Sequence, residues 1–254
     1  MIVDVHTHLG WDYTFDEDFK KEYLIEKMSV QKVDVQIVQP GTCHDLETVR
    51  AQHDAIAALC RSHPGRFFGM ANPSPHLPFE AYMGEIGRCV REHGFIAIKL
   101  HPLASGVNPD SKSGRKAFEA AKKHGIALMV HTGSGAPFAD PVSLLKIAGE
   151  YSDVKIVMAH SGMLVYAGNA AKVFETCPNV YGDSTWTPGF LIKEWEKTFG
   201  PRIMFASDQA SNTASEIVKI QTCGLSEKEQ QNVFSATAVR VFNLEKRLAV
   251  SGTR

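Results

Sequence analysis

The chain has 254 residues, 44% of them hydrophobic and 22% charged, a composition typical of a soluble globular protein. Its formal net charge is -1, and the charges form no long run of one sign, which argues against binding to nucleic acid or to a membrane surface. No stretch approaches the roughly 20 apolar residues of a membrane span, and the five scattered cysteines, without a CxxC pair, predict free thiols in a reducing cytoplasm.

The first predicted strand carries Ile2, Val3 and Val5 and runs directly into His6 and His8. Because side chains alternate between the two faces of a strand, these two histidines are expected to point the same way. Two imidazoles on one face form a chelating pair that suits zinc and neighbouring transition metals. The alternative is a pair of surface histidines at a frayed chain end.

Seven more strands are predicted where short β-branched or apolar runs end at turn residues, and helical spacing follows every strand. These strands cover 33–38, 67–71, 95–100, 126–130, 154–159, 180–183 and 203–206. The predicted helices cover 16–30, 45–63, 78–93, 114–124, 141–151, 164–176, 188–199, 213–223 and 226–244.

The strand–helix repeat averages roughly 32 residues, and about 250 residues is typical of a (β/α)₈ barrel. We therefore predict an α/β protein with one TIM-barrel domain over residues 1–254. The alternative is an open doubly wound sheet, which would be expected to carry a Gly-rich phosphate loop after the first strand. That position holds His-Thr-His instead.

The eleven histidines fall into two groups. Six lie in or beside predicted helices, where surface or cap positions are expected: His44, His53, His63, His76, His93 and His124. The other five stand at C-terminal strand ends, as Asp208 does on the last strand: His6, His8, His101, His131 and His160. In a (β/α)₈ barrel these ends surround the active site. The pattern thus predicts one polar constellation at the barrel mouth.

The strand ends carry five short motifs: Asp-Val-His-Thr-His-Leu-Gly, Ile-Lys-Leu-His-Pro, Val-His-Thr-Gly, Met-Ala-His-Ser-Gly and Phe-Ala-Ser-Asp. This ordered set resembles the amidohydrolase superfamily. More narrowly, it resembles the amidohydrolase 2 branch, which also contains the aminocarboxymuconate-semialdehyde decarboxylase group. The resemblance spans the first strand to the last. It implies a TIM barrel with a metal site at the C-terminal strand ends.

The resemblance also implies roles for the site residues. His6, His8 and His131 match metal ligands, and Asp208 matches a carboxylate that contacts the metal and accepts a proton from the attacking water. His160 matches a histidine that polarises substrate, holds metal-bound water or binds a second ion. Three neutral imidazoles and one carboxylate leave a divalent ion positively charged and able to lower the pKa of bound water toward about 7. Zinc is the expected ion, with one ion favoured over two.

Lys99 and His101 share one face of the fourth predicted strand. In binuclear amidohydrolases a lysine on this strand is carboxylated and bridges two ions. Alternatively, Lys99 pairs with Asp208 or binds an acidic substrate. Both Lys99 and His101 are therefore candidates, as His160 is, for a second metal or for the substrate.

Three functions stay open from the sequence. The preferred one is a metal-dependent hydrolase that cleaves a C–N, C–O or lactone-type bond of a small molecule. The second is a nonoxidative decarboxylase of a small carboxylic acid; such enzymes usually carry an arginine for the substrate carboxylate, but Arg202 stands at the wrong end of its strand. The third, a non-catalytic metal-binding relative, is disfavoured because no expected ligand is missing. A barrel of this length has little room for a lid, so the pocket is expected to be open or closed by a neighbouring subunit of a homo-oligomer.

Overall fold

The computed structural model describes residues 1–251, with the side chains of residues 250 and 251 left aside. A nine-stranded sheet in the order β2-β1-β3-β4-β5-β6-β7-β8-β9 forms its centre. The strands are β1 (Val3–Asp12), β2 (Glu17–Phe19), β3 (Val35–Pro40), β4 (Phe67–Ala71), β5 (Ala97–Leu100), β6 (Ala127–His131), β7 (Ile156–Ala159), β8 (Val180–Asp183) and β9 (Ile203–Met204).

Helices follow the parallel strands and surround the sheet. They are α1 (Lys21–Val30), α2 (Leu46–Ser62), α3 (Phe79–Arg91), α4 (Pro102–Ser105), α5 (Arg115–His124), α6 (Leu145–Glu150), α7 (Ala167–Thr176), α8 (Gly189–Phe199), α9 (Thr213–Thr222), α10 (Glu227–Gln231), α11 (Thr237–Val241) and α12 (Leu244–Ser251). None of the helices within the described residues is both long and apolar enough to cross a membrane.

The sheet closes on itself where β1 meets the segment after β9. A parallel bridge joins Thr7 to Asp208. The Val5 amide donates to the Phe205 carbonyl at 3.1 Å, and the Asp208 amide donates to the His6 carbonyl at 2.7 Å. This seam closes the eight parallel strands into a barrel, which confirms the predicted fold class. It also brings the first and last predicted site residues together.

Two apolar clusters hold the barrel and its helices together. One lies between the strands and the surrounding helices. The other joins alternate strand residues, such as Val3, Val5, Met129 and Val157, to Phe242 after α11. β1 lies far from β6 and β7 in the strand order, so their side chains share one cluster because the sheet is closed into a barrel. The C-terminal helical region therefore packs against the barrel interior.

The first predicted loop and helix are partly wrong. β1 continues to Asp12 and pairs with β2 as an antiparallel hairpin, so α1 begins only after this hairpin at Lys21. The Asp12 carboxylate accepts hydrogen bonds from the amides of Thr14 and Phe15 at 2.8 and 2.9 Å. These bonds stabilise the turn, a role that aspartate commonly takes.

Two other predicted helices are interrupted. The helix predicted over 141–151 begins as a 3₁₀ turn at Pro141–Leu144 before α6. The helix predicted over 226–244 is divided into α10 and α11 by a π-helical turn at Asn232–Ala236. Helical periodicity predicts the apolar face in both cases, but it does not distinguish the hydrogen-bond spacing of the backbone.

Gly69 on β4 offers a direct test of barrel packing. A Cβ at this position would lie 2.2 Å from a ring carbon of the buried Phe95. We expect Gly69→Ala to lower the free energy of unfolding by about 1–3 kcal/mol through overpacking. In α3, a Cβ on Gly84 meets no atom within 4 Å, so Gly84→Ala should instead stabilise by about 0.5–1 kcal/mol. Chemical denaturation of both variants measures this difference, and equal stabilities would contradict the packing described.

Candidate active site

A cavity of about 260 Å³ opens at the C-terminal ends of the barrel strands. Six of its lining residues are those predicted at strand ends: His6, His8, His101, His131, His160 and Asp208. The remaining ones come from the β1–β2 hairpin and the loops that follow the strands: Asp12, Phe15, Glu17, Leu103, Ser134, Met163, Trp186 and Gln209. The fold thus gathers the whole predicted constellation around one small cavity.

Three candidate ligand atoms form a close triangle. His6 Nε2 lies 3.3 Å from His8 Nε2, and each of these atoms is 3.2 Å from Asp208 Oδ1. Two ligands about 2.1 Å from one ion are about 3.0–3.4 Å apart at tetrahedral or octahedral angles. Ligand atoms of His160, His6 and Asp208 also lie within 4.8 Å of one another. The spacing of this donor set therefore fits a divalent ion.

Asp183 sets the orientation of His6. Its Oδ2 lies 2.9 Å from His6 Nδ1, and both side chains are fully buried. A carboxylate acceptor keeps the imidazole proton on Nδ1, so Nε2 is the unprotonated nitrogen, the form that binds a metal. Burial, followed by the charge of Lys99, lowers the pKa of His6 to about 3, so this imidazole is neutral at physiological pH.

The same carboxylate also organises His160. Asp183 Oδ1 accepts hydrogen bonds from the His160 amide at 2.8 Å and from the Thr185 hydroxyl at 2.9 Å. Because that hydroxyl donates its proton to Asp183, it accepts one from His160 Nδ1 at 2.6 Å. His160 therefore also keeps Nε2 unprotonated. Burial lowers its pKa, which favours the neutral form.

His101 and His131 form a separate stacked pair, with ring centroids 4.0 Å apart. His101 Nδ1 accepts a hydrogen bond from the Ala104 amide at 3.1 Å, so its neutral ring carries the proton on Nε2. His131 Nε2 lies 3.3 Å from the Ser134 hydroxyl. Burial holds the pKa values of both histidines well below the ordinary range. The cavity thus receives a donor N–H from His101. His131 lines the same cavity with its ring centroid 4.9 Å from that of His160, and its role as a metal ligand stays a prediction.

Two nitrogen donors lie against the ligand triangle. The buried Lys99 amine is 3.0 Å from His6 Nε2, and burial lowers its pKa to about 8. Gln39 Nε2 is 2.8 Å from His8 Nε2. Among the described residues, Gln39 Oε1, His8 Nδ1 and His131 Nδ1 are buried and have no hydrogen-bond partner. Protein atoms alone therefore do not satisfy this cluster, a second reason why it fits an additional ligand.

Asp208 is held as a carboxylate. Its Oδ2 accepts a hydrogen bond from the Trp186 indole at 2.9 Å, and Oδ1 faces His6 and His8. Burial opposes its ionisation, but the polar groups around it, including His8 at 3.2 Å from Oδ1, hold its pKa well below the usual range. Asp208 and Trp186 both have left-handed backbone, with φ of 65° and 55°. Such conformations are costly for side chains of this size and cluster at functional sites.

Sequence reasoning missed two residues that support the site. Asp183 stands at the C-terminal end of a predicted strand, so the positional rule applied to the histidines could also have found it. Gln39 directly follows the predicted strand 33–38, but its role depends on a hydrogen bond to His8 on the neighbouring strand.

One expectation for the helix-flanking histidines is wrong. His53 is fully buried rather than at the surface, with Nδ1 2.8 Å from Glu85 and Nε2 accepting from the Asn72 amide at 3.0 Å. Its position on the apolar side of α2 explains the burial, and Glu85 on α3 supplies the required partner. The remaining histidines of that group are exposed or half-buried: His44, His63, His76, His93 and His124.

Comparison with known proteins gives a family and a set of similar folds. The model of the amidohydrolase family matches residues 3–244. A 2-amino-3-carboxymuconate-6-semialdehyde decarboxylase from Dictyostelium discoideum is 30% identical over 86 residues, or 34% of this chain and 24% of the relative. The matched segment thus spans about a quarter of that relative's length.

Among solved structures, 2,6-dihydroxybenzoate decarboxylase from Rhizobium has a TM-score of 0.77 at 15% identity, covering 96% of this chain and 99% of the other. A 5-carboxyvanillate decarboxylase from Novosphingobium aromaticivorans, complexed with manganese and 4-hydroxy-3-methoxy-5-nitrobenzoic acid, has a TM-score of 0.76 at 17% identity. It covers 95% of this chain and 96% of its own. At these identities the similarity establishes the shared fold.

The Asp183 network predicts a graded loss of metal affinity. Replacing a carboxylate that orients a metal-binding histidine typically costs 10–100-fold in affinity, so we expect about that loss of Zn²⁺ or Mn²⁺ affinity in Asp183→Asn. Thr185→Val removes the hydroxyl beside His160 but leaves the His6–Asp183 bond intact, so its affinity should stay within about threefold of the parent. Competition with a chromophoric chelator measures both values. Equal affinities in all three proteins would exclude this role of Asp183.

Proposed function

The chain belongs to the amidohydrolase family, and from this premise we propose that it is a metal-dependent nonoxidative decarboxylase of a small carboxylic acid. The observation that carries the proposal is the close triangle of His6 Nε2, His8 Nε2 and Asp208 Oδ1. The second oxygen of the Asp208 carboxylate, Oδ2, accepts a hydrogen bond from Trp186. The matched relatives named above are decarboxylases, which favours this reaction over the hydrolysis preferred from the sequence. The sequence offers no arginine at the C-terminal strand ends for the substrate carboxylate, and we propose that His101 binds this carboxylate instead.

The residues of the triangle are the proposed ligands, with His131 as the further ligand implied by the motif. A divalent ion bound there would neutralise the negative charge of a substrate carboxylate and of an adjoining oxygen. Zinc and manganese both accept imidazole and carboxylate ligands, and manganese is bound in one structural relative. We propose one ion per chain, with Lys99 as an unmodified amine that contacts the substrate or Asp208 rather than a carboxylated bridge.

Decarboxylation breaks the carbon–carbon bond to the carboxylate, leaves the electron pair on carbon and replaces CO₂ with a proton. Asp208 is proposed to accept a proton from a substrate hydroxyl or water and to deliver it to that carbon. The Trp186 hydrogen bond fixes the carboxylate orientation for this transfer. His101 would donate its Nε2 proton in a hydrogen bond to the substrate carboxylate, and the neutral His160 would orient the substrate beside it.

The reaction class can be tested by following the carboxyl carbon. Protein loaded with Zn²⁺ or Mn²⁺ is given a panel of ¹³C-carboxyl-labelled acids that includes 2,6-dihydroxybenzoate, and ¹³CO₂ is detected by NMR. We expect release of ¹³CO₂ with one equivalent of the product that carries hydrogen at the former carboxyl position. Turnover of lactones or amides without ¹³CO₂ release from any acid would instead establish the hydrolase. Metal binding without turnover of either panel would establish the non-catalytic relative.

Asp208→Asn separates catalysis from metal binding. The amide keeps one ligand oxygen but is far less basic, so we expect metal to be retained after dialysis and kcat to fall at least about 100-fold. Trp186→Phe is the matched control, because it removes the hydrogen bond to Oδ2 and keeps the carboxylate; its kcat should fall less. Steady-state kinetics at saturating metal compare the two variants. If Asp208→Asn turns over within a fewfold of the parent, Asp208 is no more than a ligand.

A further inference from the structure

We propose that Glu17 determines substrate specificity by rejecting acids with a second negative group and by selecting those with a hydrogen-bond donor, such as a hydroxyl or an amine. This inference rests on the proposed function and concerns the wall that the β1–β2 hairpin contributes to the same cavity. Glu17 lies on β2, in the hairpin that the sequence did not predict.

The wall of the cavity is acidic. Three carboxylates line the cavity, those of Asp12, Glu17 and Asp208, and no lysine or arginine lines it within the described residues. The nearby Lys99 amine lies against His6 of the triangle, and within the described residues neither Asp12 nor Glu17 forms an ion pair. A monoanion is attracted by the ion, whereas a second anionic group would meet this acidic wall without a cation to pair with.

The partners of the two hairpin carboxylates differ. Asp12 is fully used by the backbone, because its oxygens accept from the amides of Thr14, Phe15 and Thr42. Within the part of the chain that the structure describes, Glu17 has one partner, the Gln209 amide, whose Nε2 lies 3.1 and 3.2 Å from its two oxygens. A half-buried carboxylate with one neutral partner keeps lone pairs for a donor on a bound molecule.

The hairpin itself carries a cost that folding does not explain. Asp12 and Glu17 are directly opposite each other in the β1–β2 pair. Like charges at such positions are destabilising, and departures of this kind are expected where a site requires them. Asp12 stabilises the turn through three backbone amides, whereas Glu17 accepts from the single Gln209 amide, so Glu17 is the member of the pair with lone pairs left for a bound molecule.

The size of the cavity limits the class of acid further. Its volume of about 260 Å³ lies just below the roughly 300–1,000 Å³ of ordinary ligand pockets. Trp186 and Phe15 supply flat apolar surface at its rim, and Gln209 neighbours Glu17. We therefore expect a monocarboxylic acid with one ring, or an unsaturated chain of similar size, that carries a hydroxyl or amino group.

Binding measurements test this independently of turnover. Quenching of tryptophan fluorescence in the Zn²⁺-loaded protein gives the Kd for 3- and 4-substituted benzoates that carry a hydroxyl, amino, methyl or second carboxylate group. We expect the hydroxybenzoates and aminobenzoates to bind at least about tenfold more tightly than the methylbenzoates, since hydrogen bonds to charged groups are strong. The benzoates with a second carboxylate should bind most weakly.

Two variants assign the preference to Glu17. Glu17→Gln should lose most of the donor preference and bind the dicarboxylates more tightly, and Glu17→Lys should prefer the dicarboxylates. Glu22→Gln on α1, an exposed residue outside the cavity, is the matched control and should bind like the parent. Thermal unfolding and metal content verify that every variant is folded and loaded.

The outcomes separate this inference from the reaction class. Equal Kd values across the panel, or the same selectivity in the parent and in Glu17→Lys, would overturn the role of Glu17 even if ¹³CO₂ is released. A donor preference that is lost in Glu17→Gln would support it even if no acid is decarboxylated.

Discussion

The site depends on one buried carboxylate, Asp183, which is hydrogen bonded to both His6 and His160. Its two oxygens serve different partners, Oδ2 the His6 ring and Oδ1 the backbone of His160 and the Thr185 hydroxyl. Burial alone would raise the pKa of this carboxyl, but the hydrogen bonds from the His6 ring and from the His160 amide lower it instead. The buried charge is therefore tolerated because each oxygen is used. As a result, the His6 and His160 rings both have Nδ1 in a hydrogen bond and Nε2 unprotonated.

Much of the architecture and the set of cavity residues could be predicted from sequence because a barrel converts order along the chain into position around a ring. Strands with continuous apolar runs are recognisable, and their C-terminal ends must meet at one face. His101 and His131 could be assigned to that face from their positions after strands, without knowing which strands pair. The prediction of secondary structure was less accurate at the β1–β2 hairpin that contains Glu17, which the sequence did not indicate.

The residues that sequence reasoning missed share a physical property: their roles depend on partners far along the chain. Gln39 meets His8 across two neighbouring strands, and Asp183 meets His6 over a separation of 177 residues. The register of β1 against β3 also shifts between Asp4 and Thr7, an irregularity that re-aims nearby side chains. A rule of strict alternation cannot anticipate such a shift. Burial of His53 was missed for a related reason, because Glu85 on another helix makes it possible.

The seam between β1 and the segment after β9 has a consequence for biosynthesis. His8 and Asp208 are 200 residues apart, so translation at about 5–20 residues per second separates their emergence by about 10–40 s. During that interval the nascent chain exposes a pair of imidazoles without their carboxylate partner. Chaperones and cellular metal buffers would then encounter an incomplete chelator, and high-affinity loading would await closure of the seam. At the proposed site, metal binding would therefore follow closure of the seam.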